Sequence, residues 1–278
     1  MINSIAMSSE TKTRVITGLS GAVGLVLLIV LGGHFGISLV AAVTGTVMCW
    51  ELAQVFFVMP DKKEKTIALL GVSWLFIFVN MLFPRAQLEC LVISFIGIFA
   101  YYLATAERHA ENLKRHFDEL TLTTFALVYI VTFIAFFPLI RDGLNGARWV
   151  LVFLMIVWCG DTGAYFVGRK YGKTKLYPLI SPGKSVEGAA GGLASSLVVS
   201  LLFKLLFFKN MGWLAAIMTP LLVGSVAQVG DLCESFFKRA YSIKDSSRIL
   251  PGHGGMLDRF DGVVFSLPVM YFCVKVFG

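Results

Sequence analysis

Charged side chains are the scarcest class in this chain. Only 15% of its 278 residues are Asp, Glu, Lys or Arg, against about one-quarter in a soluble domain. With 57% hydrophobic residues and a mean hydropathy of +0.79, a water-soluble fold is excluded, because it could not hide so many apolar runs of about 17 or more residues. CxxC spacing is also missing. Cys49, Cys90, Cys159, Cys233 and Cys273 mostly lie inside apolar runs as small hydrophobes, so neither a disulfide framework nor a zinc site follows. No small-residue cleavage site follows Lys12 and Arg14, so the first apolar run is expected to be a retained helix and not a signal peptide. Repeats and low-complexity tracts are absent, which leaves one membrane domain over residues 1–278.

What is present is a series of apolar runs at about residues 15–32, 36–59, 67–83, 88–106, 120–140, 148–167, 189–208, 212–230 and 262–277. Their lengths predict an all-α, polytopic membrane protein with about nine transmembrane helices. Most of the 24 Lys and Arg fall on one side if the N-terminus is cytoplasmic, since basic loops are translocated poorly. The polar loops 168–188 and 231–261 then share the cytoplasmic face. Residues 1–147 form the N-terminal helices, and 148–278 hold the candidate catalytic helices and loops. A formal charge of +7 placed in short loops suits anionic lipid or phosphate, not nucleic acid.

Three segments carry chemistry. In Gly160-Asp161-Thr162-Gly163-Ala164-Tyr165, a carboxylate interrupts an apolar run, and intramembrane acids usually face a polar cavity, a metal or a cation. The bland alternative is a helix-end acid paired with Arg169 or Lys170. In Ser181-Pro182-Gly183-Lys184-Ser185, the ending imitates a P-loop, but the Walker pattern fails at Pro178. A lysine, hydroxyls and backbone N–H groups before a helix suit phosphate, with a plain helix cap as the alternative. The third segment runs from Asp231 to Asp261. On a helix, Asp231, Glu234, Ser235 and Lys238 share one face. Asp258 and Asp261, three apart on the next helix, suit a hard divalent cation with phosphate oxygens as further ligands. Between them, the turn Pro251 to Gly255 offers N–H groups to phosphate, and His253 a hydrogen bond or proton. Glu51 is a further buried acid whose partner is not readable. His34, His109 and His116 read as surface loop residues. Cations, acids and glycine turns at one membrane face predict metal-assisted phosphoryl or nucleotidyl transfer.

These residues resemble the phosphatidate cytidylyltransferase, or CDP-diacylglycerol synthase, family. Its signature is filled by Ser235, Lys238, Arg239, Lys244, Asp245, Pro251, His253, Gly254, Gly255, Asp258, Arg259 and Asp261 at matching spacing. The segments around Asp161 and Lys184 are similar too, so the likeness is specific over about residues 158–262. Gly262 departs from it by replacing a serine. The resemblance implies that CTP and phosphatidic acid give CDP-diacylglycerol and pyrophosphate in phospholipid biosynthesis, with Mg²⁺ required. It implies a metal held by Asp231, Asp258 and Asp261 with Asp161 beside them, and Lys238 among the catalytic groups. Ser181, Lys184, Arg239, Lys244, His253, Gly254, Gly255 and Arg259 would bind substrate. Whether a second cation binds and whether the chain forms a homodimer are left open.

Two other readings stand beside it: a CTP-dependent kinase of polyprenyl or phytyl alcohols, and, from Asp161 and Glu51, an ion-coupled transporter. Compact length and the lack of a targeting extension point to a bacterial inner membrane.

Overall fold

The computed structural model describes residues 21, 23–58, 60–84, 86–250 and 254–278. Most of the expected first span, with Lys12 and Arg14, lies outside them, as do Arg85, Pro251 and His253. The architecture is a helical bundle: α1 (Gly33–Phe56), α2 (Lys62–Leu82), α3 (Gln87–Thr105), α4 (Leu113–Ala126), α5 (Phe136–Asp142), α6 (Gly146–Tyr171), α7 (Val186–Leu206), α8 (Trp213–Ala240) and α9 (Leu257–Phe277). Hydrocarbon leaves a lone segment no other way to satisfy its backbone. Among the described residues, seven helical stretches are long and apolar enough to cross a membrane. One of them, Gln87–Asp142, takes in two of the expected runs. It bends between them at the 3₁₀ segment Ala106–Asn112, where His109 leaves helical dihedrals at φ −117° and ψ 22°.

The bundle is apolar outside, as lipid contact requires: Ile93, Ile96, Phe99 and Leu103 of α3 are all exposed. Inside, a buried ion pair of Lys65 with Glu119 ties α2 to α4. His116, expected on a surface loop, is instead buried in α4. Its Nε2 lies 2.8 Å from the Tyr102 carbonyl, and its ring stacks on His109. The amphipathic turns of α4 carry it inward, which its polar sequence neighbours conceal.

Small residues let the C-terminal half close up. A Cβ at Gly163 would fall 1.9 Å from Ser195 Oγ, and one at Gly160 would fall 2.5 Å from Ser196 Oγ. So α6 and α7 approach nearly backbone to backbone, the common device of membrane helices. The α8 and α9 contact works alike. A Cβ at Gly230 would lie 2.6 Å from Phe265 Cβ, and one at Gly262 would lie 3.1 Å from the Ala227 carbonyl oxygen. Glycine at 262, where the family pattern has serine, thus serves packing.

Helices α6 and α8 have 26 and 28 residues. At 1.5 Å per residue they run to about 40 Å, more than the roughly 30 Å hydrocarbon core, so their ends stand clear of it. Between α6 and α7 the chain makes a two-stranded antiparallel hairpin, β1 (Lys175–Tyr177) and β2 (Ser181–Ser185), with Lys175 opposite Ser185 and Tyr177 opposite Ser181. It lies within the polar loop 168–188 and leaves the all-α class of the molecule unchanged. A segment outside the helices has no helical ladder, so it pairs with itself. Ser181 to Lys184 accordingly belong to a strand. The helix cap is Ser185, whose Oγ accepts from Gly188 N at 3.1 Å.

Candidate active site

Acids near the C-terminal end of α8 meet the N-terminal turns of α9, because the two helices run antiparallel, with Asp161 of α6 beside them. Asp161 sits ten residues before the end of α6, Asp231 and Glu234 lie in the last three turns of α8, and Asp258 and Asp261 open α9. Asp231, Glu234 and Asp261 each offer a ligand atom, all within 4.8 Å of one another. Glu234 is buried, and its Oε1 has no hydrogen-bond partner. Three converging carboxylates with an unpartnered buried oxygen fit a hard divalent cation such as Mg²⁺. Glu234 was legible as part of the helix face, but the family signature does not contain it.

Beside this group opens a cavity of about 640 Å³, lined by Asp161, Ser181, Lys184, Gln228 and Asp231 together with Arg169 and Lys175. The strand β2 carries Lys184 across to α8, where its Nζ lies 2.7 Å from Asp231 Oδ2. Arg169 does not pair with Asp161; its Nη1 donates to Tyr165 Oη at 3.1 Å. Three cations facing two acids in one concave space suit a polyanionic phosphate ligand. Two anchors hold the hairpin over this space. Arg239 Nε donates to the Ile180 carbonyl at 3.2 Å. Glu187, in the first turn of α7, accepts from Lys173 N and Thr174 N, each at 3.1 Å.

Asp258 and Asp261, a pair three residues apart on one helix, separate in their contacts. Asp258 faces its own chain: Oδ1 takes Lys238 Nζ at 2.9 Å, and Oδ2 takes Gly255 N at 2.9 Å and Ser246 N at 3.0 Å. Lys238 also reaches Glu234 Oε2 at 2.8 Å, the i,i+4 contact that the shared helix face predicts. The N–H of Gly255 is therefore engaged within the chain, and Gly254, at φ +82°, shapes the turn. Arg239, Lys244 and Arg259 are exposed around this end of the bundle and do not line the cavity. His253 lies outside the described residues. Glu51, for which the sequence offered no partner, accepts hydrogen bonds from Ser246, Ser247, Met256 and Leu257.

A family model described as "Cytidylyltransferase family" matches residues 12–277. A phosphatidate cytidylyltransferase of Bacillus subtilis is 33% identical over 274 residues, covering 97% of this chain and 99% of that protein. Proteins of the same name from Staphylococcus saprophyticus and Staphylococcus haemolyticus are 40% and 39% identical over 185 and 188 residues, each covering 66% of this chain and 68% of the relative. The family model and the Bacillus relative match over nearly the whole length, and the chain belongs to the cytidylyltransferase family.

Proposed function

We propose that this protein is a phosphatidate cytidylyltransferase, moving CMP from CTP to phosphatidic acid and releasing pyrophosphate. The observation that carries this reading is the cationic cavity ending on Asp231, where the three-carboxylate group begins. A phosphate oxygen of phosphatidate attacks the α-phosphorus of CTP, and the bond from that phosphorus to the oxygen bridging to the β-phosphate breaks. Phosphatidate is already an anion, so positioning and charge stabilisation supply most of the rate without a general base. Lys184, Arg169 and Lys175 would bind the phosphates. An arriving phosphate competes with Asp231 for Lys184 and leaves that carboxylate available. Asp231, Glu234 and Asp261 would hold Mg²⁺, with Asp161 alongside across the cavity. When bound, Mg²⁺ supplies neutralisation of the charge developing on the phosphates. Asp258 supports this arrangement from behind by fixing Lys238.

On the same reading the basic end of the bundle faces the cytoplasm, where CTP is found, and the helices span the inner membrane. The mixed carboxylate and lysine groups then stand at one membrane face and not at the midplane, where a transporter would need them.

Product analysis tests the proposal. Purified protein in detergent, given CTP, phosphatidic acid and Mg²⁺, is expected to yield CDP-diacylglycerol and pyrophosphate in equal amounts, and chelation by EDTA is expected to stop the reaction reversibly. A phosphorylated polyprenyl or phytyl alcohol with CDP as by-product would replace this reading by a lipid kinase. Solute flux into proteoliposomes without CTP turnover would replace it by a transporter.

A further inference from the structure

Glu51 is fully buried in α1, outside the cavity and outside the carboxylate group. It is the acid of this region for which the proposed reaction has no use. An ionised side chain inside a membrane bundle is kept only where its oxygens are satisfied. Among the described residues, the four donors to Glu51 lie about 200 positions away. Oε1 accepts from Ser247 Oγ at 2.5 Å and Met256 N at 2.8 Å, and Oε2 accepts from Ser246 Oγ at 3.0 Å and Leu257 N at 2.7 Å. Each oxygen thus receives one hydroxyl and one main-chain N–H. Met256 and Leu257 begin α9, so the carboxylate also takes two of the unpaired N–H groups that every helix start presents.

The contact continues towards the site. Ser246 Oγ lies 3.0 Å from Glu51 Oε2 and 3.0 Å from Asp258 Oδ2, so its one proton serves two carboxylates. Asp258 in turn holds Lys238, and Lys238 holds Glu234. The packing leaves no room for slack: a Cβ at Gly255 would stand 1.9 Å from Ser246 Oγ and 2.6 Å from Glu51 Oε1.

We propose that Glu51 is a positioning residue of the transferase site, which clamps Ser246 and Ser247 to the start of α9 at Met256 and Leu257 and, through Ser246 and Asp258, sets where Lys238 and Glu234 stand. The clamp rests on geometry alone; its effect on turnover rests on the cytidylyltransferase reading. Carboxylate chemistry is required. In Glu51→Gln, whichever way the amide is turned, its NH₂ faces a main-chain N–H, from Met256 or from Leu257. Outer groups that orient a site commonly cost about tenfold to a hundredfold when removed.

The test combines two measurements on the full-length protein in detergent. Amide hydrogen exchange in Glu51→Gln is expected to quicken at residues 254–258 by about tenfold or more, with the amides of α6 and α7 unchanged. Turnover is expected to fall by about tenfold to a hundredfold in kcat with the CTP KM within about threefold, because the cavity wall is untouched. Ser246→Ala combined with Glu51→Gln is expected to cost little more than the larger single loss, as one chain of contacts demands. If Glu51→Gln does not fold, the paired change Ser246→Ala, Ser247→Ala removes the two hydroxyl donors and leaves the two main-chain ones, and is expected to give the same exchange and kinetic signature at smaller amplitude. Unchanged exchange would overturn the clamp, and quickened exchange with unaltered kcat would overturn the role in positioning. A wild-type protein that makes no CDP-diacylglycerol would instead refute the proposed function, while the exchange result still decides whether Glu51 holds the segment.

Discussion

Two walls meet at Asp231, and they use the same residue types in opposite ways. On the wall built by α6, the hairpin and α7, Lys184 has one carboxylate for company and is 26% exposed at its side chain, while its partner Asp231 is 41% exposed. On the wall built by α1, α9 and the segment before it, Asp258 and Glu51 are filled with donors from the chain, and the side chain of Asp258 is 10% exposed. Groups satisfied internally hold shape, and groups left with spare capacity and an open cavity before them remain available to a ligand. The chemical inventory alone would not separate them.

The contrast can be broken by moving charge on each wall. The largest effect is expected from Asp231→Asn, which lies where both walls and the carboxylate group meet: a loss of about 10³-fold in kcat, read by CTP-dependent pyrophosphate release, with little change in thermal midpoint. Full activity in this variant would remove Asp231 from the site. Next is Asp258→Asn, which is expected to act on stability first. It strips Lys238 of a buried partner and should cost about 3 kcal/mol, seen as a lowered thermal midpoint in detergent. A protein as stable as wild type would mean that the closed wall is not held by this network. Lys184→Met sharpens the comparison from the other side. It is expected to reduce kcat/KM for CTP by about a hundredfold while altering stability by under about 1 kcal/mol, since an ion pair this exposed contributes little to folding. If its stability loss exceeded that of Asp258→Asn, the assignment of the two walls would be reversed.

Parts of the site were legible because they depend on spacing within one helix. The Glu234 to Lys238 contact follows from four residues of helix, as does the placing of Asp231 on the same face. The signature from Ser235 to Asp261 draws attention to the end of the bundle where Asp231, Glu234 and Asp261 converge. Other parts were hidden because they depend on which way a side chain turns. Asp258 and Asp261 look equivalent at i and i+3, yet one turns to Ser246, Gly255 and Lys238 and the other to Asp231 and Glu234. The hairpin is not legible because two strands of three and five residues carry almost no periodic signal. Glu51 was visible as a buried acid and nothing more, since its partners are some 200 positions away.

By itself the sequence determined the class of the molecule. Long apolar runs in hydrocarbon can only be helices, and the clustering of cations and acids in two loops places the chemistry at one end of them. Only the tertiary structure decided which of those charges are available. That depends on whether a distant donor already occupies each oxygen, and at Glu51 and Asp258 the donors arrive through contacts that no local pattern encodes.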